Sequence, residues 1–293
     1  MPALLKYTGR ALIAVVVLTA VTYLSILPLA RFEELAHLPL TGGGMLLRTF
    51  LDRCCVVAAM AYPAVRSRWS GTQLMFAVGT VHFGIYTLVP RFEAGLVLSQ
   101  VVDLPTTALL TAHGFLLAMV FSFVLVCAMG RLGEKATVRE SARLHMSAGQ
   151  WLWRLALCLG ARLLLKAAGL VTRRHLAGAA LGMPQAHQSW GWLLMQAGQA
   201  GQALLLIVFS LPVVKMMRGG RLEATLSVTA VIFAVGSLGP MISAQPFLPG
   251  ALSLEGAIEL GATNLLYGAL VGYLFSRNGE ERRAGGRGAG AIS

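Results

Sequence analysis

Charge is what this sequence has least of. Only 12% of its 293 residues are Asp, Glu, Lys or Arg, against 56% that are hydrophobic. A soluble domain carries about twice that share of charge. Charged side chains keep an apolar-rich chain in water, so their scarcity excludes a water-soluble globule and points to lipid as the solvent. Acids are scarcer still, 12 against 24 Lys and Arg, for a formal net charge of +12. The excess does not form a nucleic-acid-binding face, because the basic residues sit in short clusters between apolar runs, as membrane topology demands. Nucleic acid is therefore not an expected partner.

Cysteine is sparse too. Cys54, Cys55, Cys127 and Cys158 all fall in apolar segments, without CxxC spacing. They read as small buried hydrophobes, and no metal site is expected. Catalytic signatures are missing as well. The chain has no Walker loop, no GxSxG, no HExxH, no DxD-like run, no paired-glutamate protease pattern and no lysine in its last apolar run for a Schiff base. The reading leans away from an enzyme.

What the chain does have is apolar length. A hydrocarbon core about 30 Å thick needs roughly 20 apolar residues as helix. Eight runs meet that need, at about 11–30, 45–65, 72–90, 105–130, 150–170, 190–214, 222–245 and 256–276. Helices are expected because lipid offers no partner to open strand edges, and the runs are too long and uniform for barrel strands. The fold class is therefore all-α: a polytopic membrane bundle of about eight transmembrane helices over 1–276, with a Gly-rich, charged cytoplasmic tail at 277–293. No internal repeat is legible. The first run is read as a retained helix rather than a cleaved signal peptide. The loop at 171–189 is the longest outer connection and a candidate for a short interfacial helix.

The connections alternate in charge. One set, from Lys6 and Arg10 through Arg66, Arg68, Arg131 and Arg218 to the tail arginines, holds sixteen basic residues. The other holds only Arg31, Arg91, Arg173 and Arg174. Positive residues stay inside, so both termini are expected in the cytoplasm, as an even number of helices requires. The expected location is a bacterial-type plasma membrane, with the lipid bilayer as the first partner and homo- or hetero-oligomers as further ones.

Several ionisable residues do not belong in lipid. Arg48, Asp52 and Arg53 fall in the second run, Arg162 and Lys166 in the fifth, Glu255 and Glu259 at the start of the eighth, and Asp103 just before the fourth. A charge at membrane depth costs about 2.5–3.5 kcal/mol on insertion scales unless paired or wet. Arg48 and Asp52, four apart, are expected to pair along one helix face. Arg162 has no local partner, so Glu259 or Asp52 is its expected counter-ion. One reading is a structural ion network. The other is an outward-facing cavity formed by Arg48, Asp52, Arg53, Arg162, Lys166, Glu259 and Asn264, whose positive surplus suits a small anionic or lipid-like ligand. Gln196, Gln199 and Gln202 form an amide stripe in the sixth run, and Gly261, Asn264, Gly268 and Gly272 a small-residue stripe in the eighth; both suit close helix packing.

Two histidines lie in apolar runs. His82 precedes Tyr86 by one turn, and His113 sits in "TAHGFLLAMVF". That string resembles the helix of haem–copper oxidase subunit I that carries a low-spin haem ligand, and the resemblance puts His113 at the ligand position. It covers about eleven residues, and the later His-His pair of that family is absent, so the chain is not assigned to it. The main reading gives His82, Tyr86 and His113 a structural or proton-handling role with no cofactor; the alternative is a b-type haem between His82 and His113. The functions left open are binding or transport of an anionic or lipid-like solute, a membrane redox protein with that haem, and a non-catalytic membrane subunit or assembly factor.

Overall fold

The computed structural model describes residues 2–29, 43–92, 104–133, 144, 146–176, 189–243 and 254–276. Asp103, the loop centre at 177–188 and the tail at 277–293 lie outside these residues, and nothing is described of the Glu255 side chain. The described chain forms eight long helical rods: α1 (Pro2–Leu29), α2 (Gly43–Val65), α3 (71–92), α4 (Leu104–Ala128), α5 (Ala148–Leu176), α6 (Ser189–Met216), α7 (221–243) and α8 (Leu254–Ser276). Six of them, α1, α3, α4, α6, α7 and α8, are long and apolar enough to cross a membrane. The other two carry the polar load: α2 holds Arg48, Asp52 and Arg53, and α5 holds Arg154, Arg162, Lys166, Arg173 and Arg174.

Solvation is inverted relative to a soluble bundle. Outward faces are apolar, with Ile13, Leu116, Leu152, Leu164 and Leu222 among the most exposed side chains. The interior holds Asp52, Arg53, His82, Arg162 and Asn264 beside an apolar core of Val56, Met60, Val81, Ile85, Leu206 and Val235. Outward faces this apolar suit contact with lipid, and interior charge is tolerated where protein supplies its partners.

The structure corrects one sequence expectation outright, because the chain is a tandem repeat of four rods. Gly71 and Arg221 open α3 and α7, and Leu104 and Leu254 open α4 and α8; both pairs are 150 residues apart. The same offset relates Pro90 to Pro240, in "TLVP" and "SLGP". Each third rod also carries a π-helical segment in the same place, Phe83–Leu88 in α3 and Ala234–Leu238 in α7. Proline explains the position. It has no N–H for the carbonyl four residues back, and its ring collides with that carbonyl. Widening the turn by one residue relieves the collision. Val89 N–H then bonds the Gly84 carbonyl and Gly239 N–H the Ala234 carbonyl, each five residues back and each just before the proline.

The repeats meet reciprocally. The α2–α3 and α6–α7 turns pair antiparallel at Ser67 and Met217, which are again 150 apart. Arg68 N–H donates to the Met216 carbonyl at 2.7 Å, and Arg218 N–H to the Arg66 carbonyl at 3.1 Å. A contact that maps onto itself in this way lies on a two-fold axis. Both turns are at one end of the molecule, so the repeats run parallel. At the same end, Arg131 after α4 donates to the carbonyls of Ser67 (2.8 Å) and Trp69 (3.0 Å). Arg66, reinforced by Tyr62, pairs with Glu223 of α7 at 2.7 Å. Deeper in the bundle the two π segments touch: a Cβ built on Gly236 would lie 3.3 Å from Ile85 Cγ2.

Candidate functional site

Two sealed polar clusters flank these π segments. The first belongs to α2 and α3. Asp52 Oδ2 accepts from Arg53 Nη2 at 2.7 Å and from the Tyr86 hydroxyl at 2.7 Å, and Arg53 Nη2 also donates to that hydroxyl at 2.9 Å. Arg53 Nη1 lies 3.4 Å from His82 Nε2. Tyr86 lies within the π segment, stacked on His82 four residues before it, and its hydroxyl reaches across to α2. Asp52, Arg53 and His82 are 1%, 4% and 2% exposed. Three of their atoms have no partner: Asp52 Oδ1, Arg53 Nε and His82 Nδ1. Asp52 Oδ1 faces the bare backbone of Gly239, where an added Cβ would lie only 2.6 Å away. Glycine at 239 thus lets the exit of the α7 π segment close over the carboxylate.

The second cluster belongs to the second repeat. Arg162 of α5, fully buried, donates through Nη1 to Asn264 Oδ1 at 2.6 Å and through Nη2 to Gln202 Oε1 at 3.0 Å. Its guanidinium lies 5.2 Å from the centroid of the Tyr267 ring, whose hydroxyl donates to the Ala203 carbonyl at 3.0 Å. Asn264 Nδ2 donates to Ser237 Oγ at 2.8 Å and to the Gly236 carbonyl at 3.2 Å. Gly236 is four residues before Pro240, so this is the carbonyl that the missing proline N–H leaves open. The first repeat has the apolar version of the contact: Gly114, equivalent to Asn264, packs on Thr87, equivalent to Ser237.

Of the expected site residues, Asp52, Arg53, His82 and Tyr86 come together, and Arg162 and Asn264 come together. Lys166 lies one turn along α5 from Arg162, half-buried, and Glu259 packs on Gly169 two turns along. Two expectations are corrected. Arg48 is exposed, and Asp52 ion-pairs its neighbour Arg53 instead, because the face that turns into the bundle carries 52 and 53. Asp52 is held by Arg53 and Tyr86, and the partners of Arg162 include the amide oxygens of Asn264 and Gln202. His82 and His113 do not face each other. His82 stacks between the rings of Tyr86, at 5.0 Å, and Phe121, at 4.2 Å. His113 is eight residues, about 12 Å, back along α4 from Phe121, beside the Ser25 backbone and near Arg91. A His82 whose Nε2 meets the Arg53 guanidinium, with His113 at another depth, does not fit bis-histidine haem ligation between the two.

Gln202, Tyr267, Phe121, Ser237 and Gly239 were missed as site residues. The amide stripe of α6 pointed to Gln202, and the "VGSLGP" cluster of glycines and proline marked the bend at Ser237 and Gly239; nothing local marks Tyr267 or Phe121. Among the described residues no group of three or more His, Cys, Asp or Glu is placed to hold a metal ion. Comparison of the chain with known protein families, with curated proteins and with solved structures finds no match to any of them.

Proposed function

We propose that the chain is a carrier-type protein of a bacterial-type plasma membrane, with eight spanning helices and both ends in the cytoplasm, that binds and moves a small anionic or lipid-like solute between its two repeats. The observation that carries this reading is the meeting of two π-interrupted helices, one from each repeat, between two buried ionisable clusters. Repeats, broken helices and polar groups at the repeat interface are the parts from which secondary transporters build their sites. A merely structural bundle has no need of charges in its interior, where each is costly. Arg53, Arg162 and Lys166 against Asp52 and Glu259 leave one cation in surplus, which favours an anionic group. The end that gathers Arg10, Arg66, Arg68, Arg131 and Arg218 is the cytoplasmic side on the positive-inside rule.

The test is accessibility. Ser237 is wholly buried in this conformation. A carrier must open the repeat interface to water in some state, so Ser237→Cys, with the four native cysteines replaced, is expected to react with a membrane-impermeant maleimide from at least one side. A non-catalytic subunit or assembly factor would leave it unlabelled in both right-side-out and inverted vesicles, and that result would overturn the proposal.

A further inference from the structure

We infer that Asp52 is a proton-binding site whose protonation releases Arg53 to hold the anion, so that the carried species are an anion and a proton taken up together. This rests on the carrier reading and specifies its chemistry.

The geometry is an exchange waiting for a third party. Asp52 and Arg53 are adjacent on α2, and each is nearly the whole counter-charge of the other in a sealed interior. The pair is neutral, and neutrality is what makes its burial tolerable. Yet the site is not saturated. Asp52 Oδ1, Arg53 Nε and His82 Nδ1 are all buried without partners. A proton on Asp52 converts the carboxylate into a neutral acid and makes one of its oxygens a donor. It also strips Arg53 of its charge partner. A buried guanidinium without a counter-ion is strongly unfavourable, and the remedy is an anion on the free edge of its fork. Proton plus anion restores the neutrality that the closed pair has alone. The balance is simple: carboxylate and H+ give the carboxylic acid, with no electrons moved and no bond broken beyond the hydrogen bonds to Oδ2.

The groups around Asp52 suit this role. From α2 it is faced by Arg53 and by Cys55 one turn position away; from α3 by Tyr86 and, through Arg53, His82; from α7 by Gly239, which brings no ionisable group. Among the described residues the carboxylate therefore answers to one fixed cation, one hydroxyl and one nearby thiol, with one imidazole behind the cation. The roof over Oδ1 is the exit of the π segment from the other repeat. Movement of α7 against α2, the opening that a carrier needs, uncovers Oδ1 directly. Protonation and opening are thus linked by one contact.

The experiment is infrared difference spectroscopy of the full chain in lipid bilayers, stepping from alkaline to acidic buffer, with chloride as the anion probe against a bulky organic anion as control. The expected result is a carboxylic-acid C=O band that vanishes in Asp52→Asn. At fixed, mildly acid pH, chloride is expected to enlarge the band several-fold, because proton and anion must help each other reciprocally. Arg53→Gln is expected to abolish the chloride effect. Tyr86→Phe, a milder change that removes one donor to the charged carboxylate, is expected to enlarge the band without chloride and guards against misfolding of the charge variants. A band that survives Asp52→Asn overturns the assignment, and a band indifferent to chloride overturns the coupling. Failure of the carrier reading would show separately, as an unlabelled Ser237→Cys protein that still gives the Asp52 band.

Discussion

At the scale of single residues, Arg53 and Arg162, two of the buried arginines, are held in different ways. Arg53 is neutralised by the acid beside it. Arg162 donates two of its planar N–H groups to neutral amide oxygens. Hydrogen bonds to a charged group are worth about 1.5–3 kcal/mol each, and the fork geometry that reaches both oxygens is specific to arginine. Arg162→Lys keeps the charge but cannot bridge Asn264 and Gln202, and is expected to cost about 1–2 kcal/mol. Arg162→Met removes the donor from both amides and is expected to cost more, about 2–4 kcal/mol. Reversible unfolding in mixed detergent measures both; a lysine variant as stable as the parent would show that the fork is not used. That Asp52, Arg53, Arg162 and Asn264 are out of place in an apolar run was legible, since a charge or amide there is conspicuous. Their partners were not. Pairing Arg48 with Asp52 follows from helix spacing alone, but which face turns inward depends on neighbours that spacing does not contain.

At the scale of elements, α7 and α8 illustrate how close two helices can come. A Cβ on Gly272 would lie 2.7 Å from Thr225 Cα, one on Gly268 2.9 Å from Thr229 Cα, and one on Gly261 3.4 Å from the Phe233 ring. The first two meet backbone, which cannot step aside; the last meets the edge of a side chain at ordinary contact distance. Alanine substitution is therefore expected to destabilise in the order Gly272, Gly268, Gly261, with about 1–3 kcal/mol at Gly272 and little change at Gly261. Thermal unfolding of the three variants checks the ranking, and a reversed order would mean that the helices separate freely. The small-residue stripe was visible in the sequence. The π segments were not, although Pro90 and Pro240 were, because one extra residue per turn leaves an already apolar run looking the same.

At the scale of the whole molecule, the two repeats are joined by a few reciprocal contacts on an axis. Ser67 and Met217 are the clearest pair, antiparallel neighbours from turns that occupy equivalent places. Cysteines at both positions are expected to form an intramolecular disulfide under mild oxidation, read as a mobility shift on a non-reducing gel that persists at high dilution. A cross-link that appears only between chains would refute the parallel two-fold arrangement. The Arg66–Glu223 pair at the same end is partly exposed, so it is expected to weaken with salt and to contribute little to global stability. Its place between the repeats makes it a contact that must break if this end opens.

The sequence by itself determined the elements and their apolar character. The eight rods begin and end within a few residues of where the apolar runs do, except where α1 and α5 extend further, and six of them are long and apolar enough to cross a hydrocarbon core. It also determined which residues are out of place in lipid, because charge in an apolar run is a local property. Only the tertiary structure decided the repeat, the π turns and the partners. The two halves share helix lengths, turns and prolines but few side chains, so their equivalence appears only when backbones are compared. Asp52 meets Tyr86 and Gly239, and Arg162 meets Gln202 and Asn264, because rods distant in the chain present those faces to one another, and the balance of hydrogen bonds and burial that selects those faces is a property of the whole bundle.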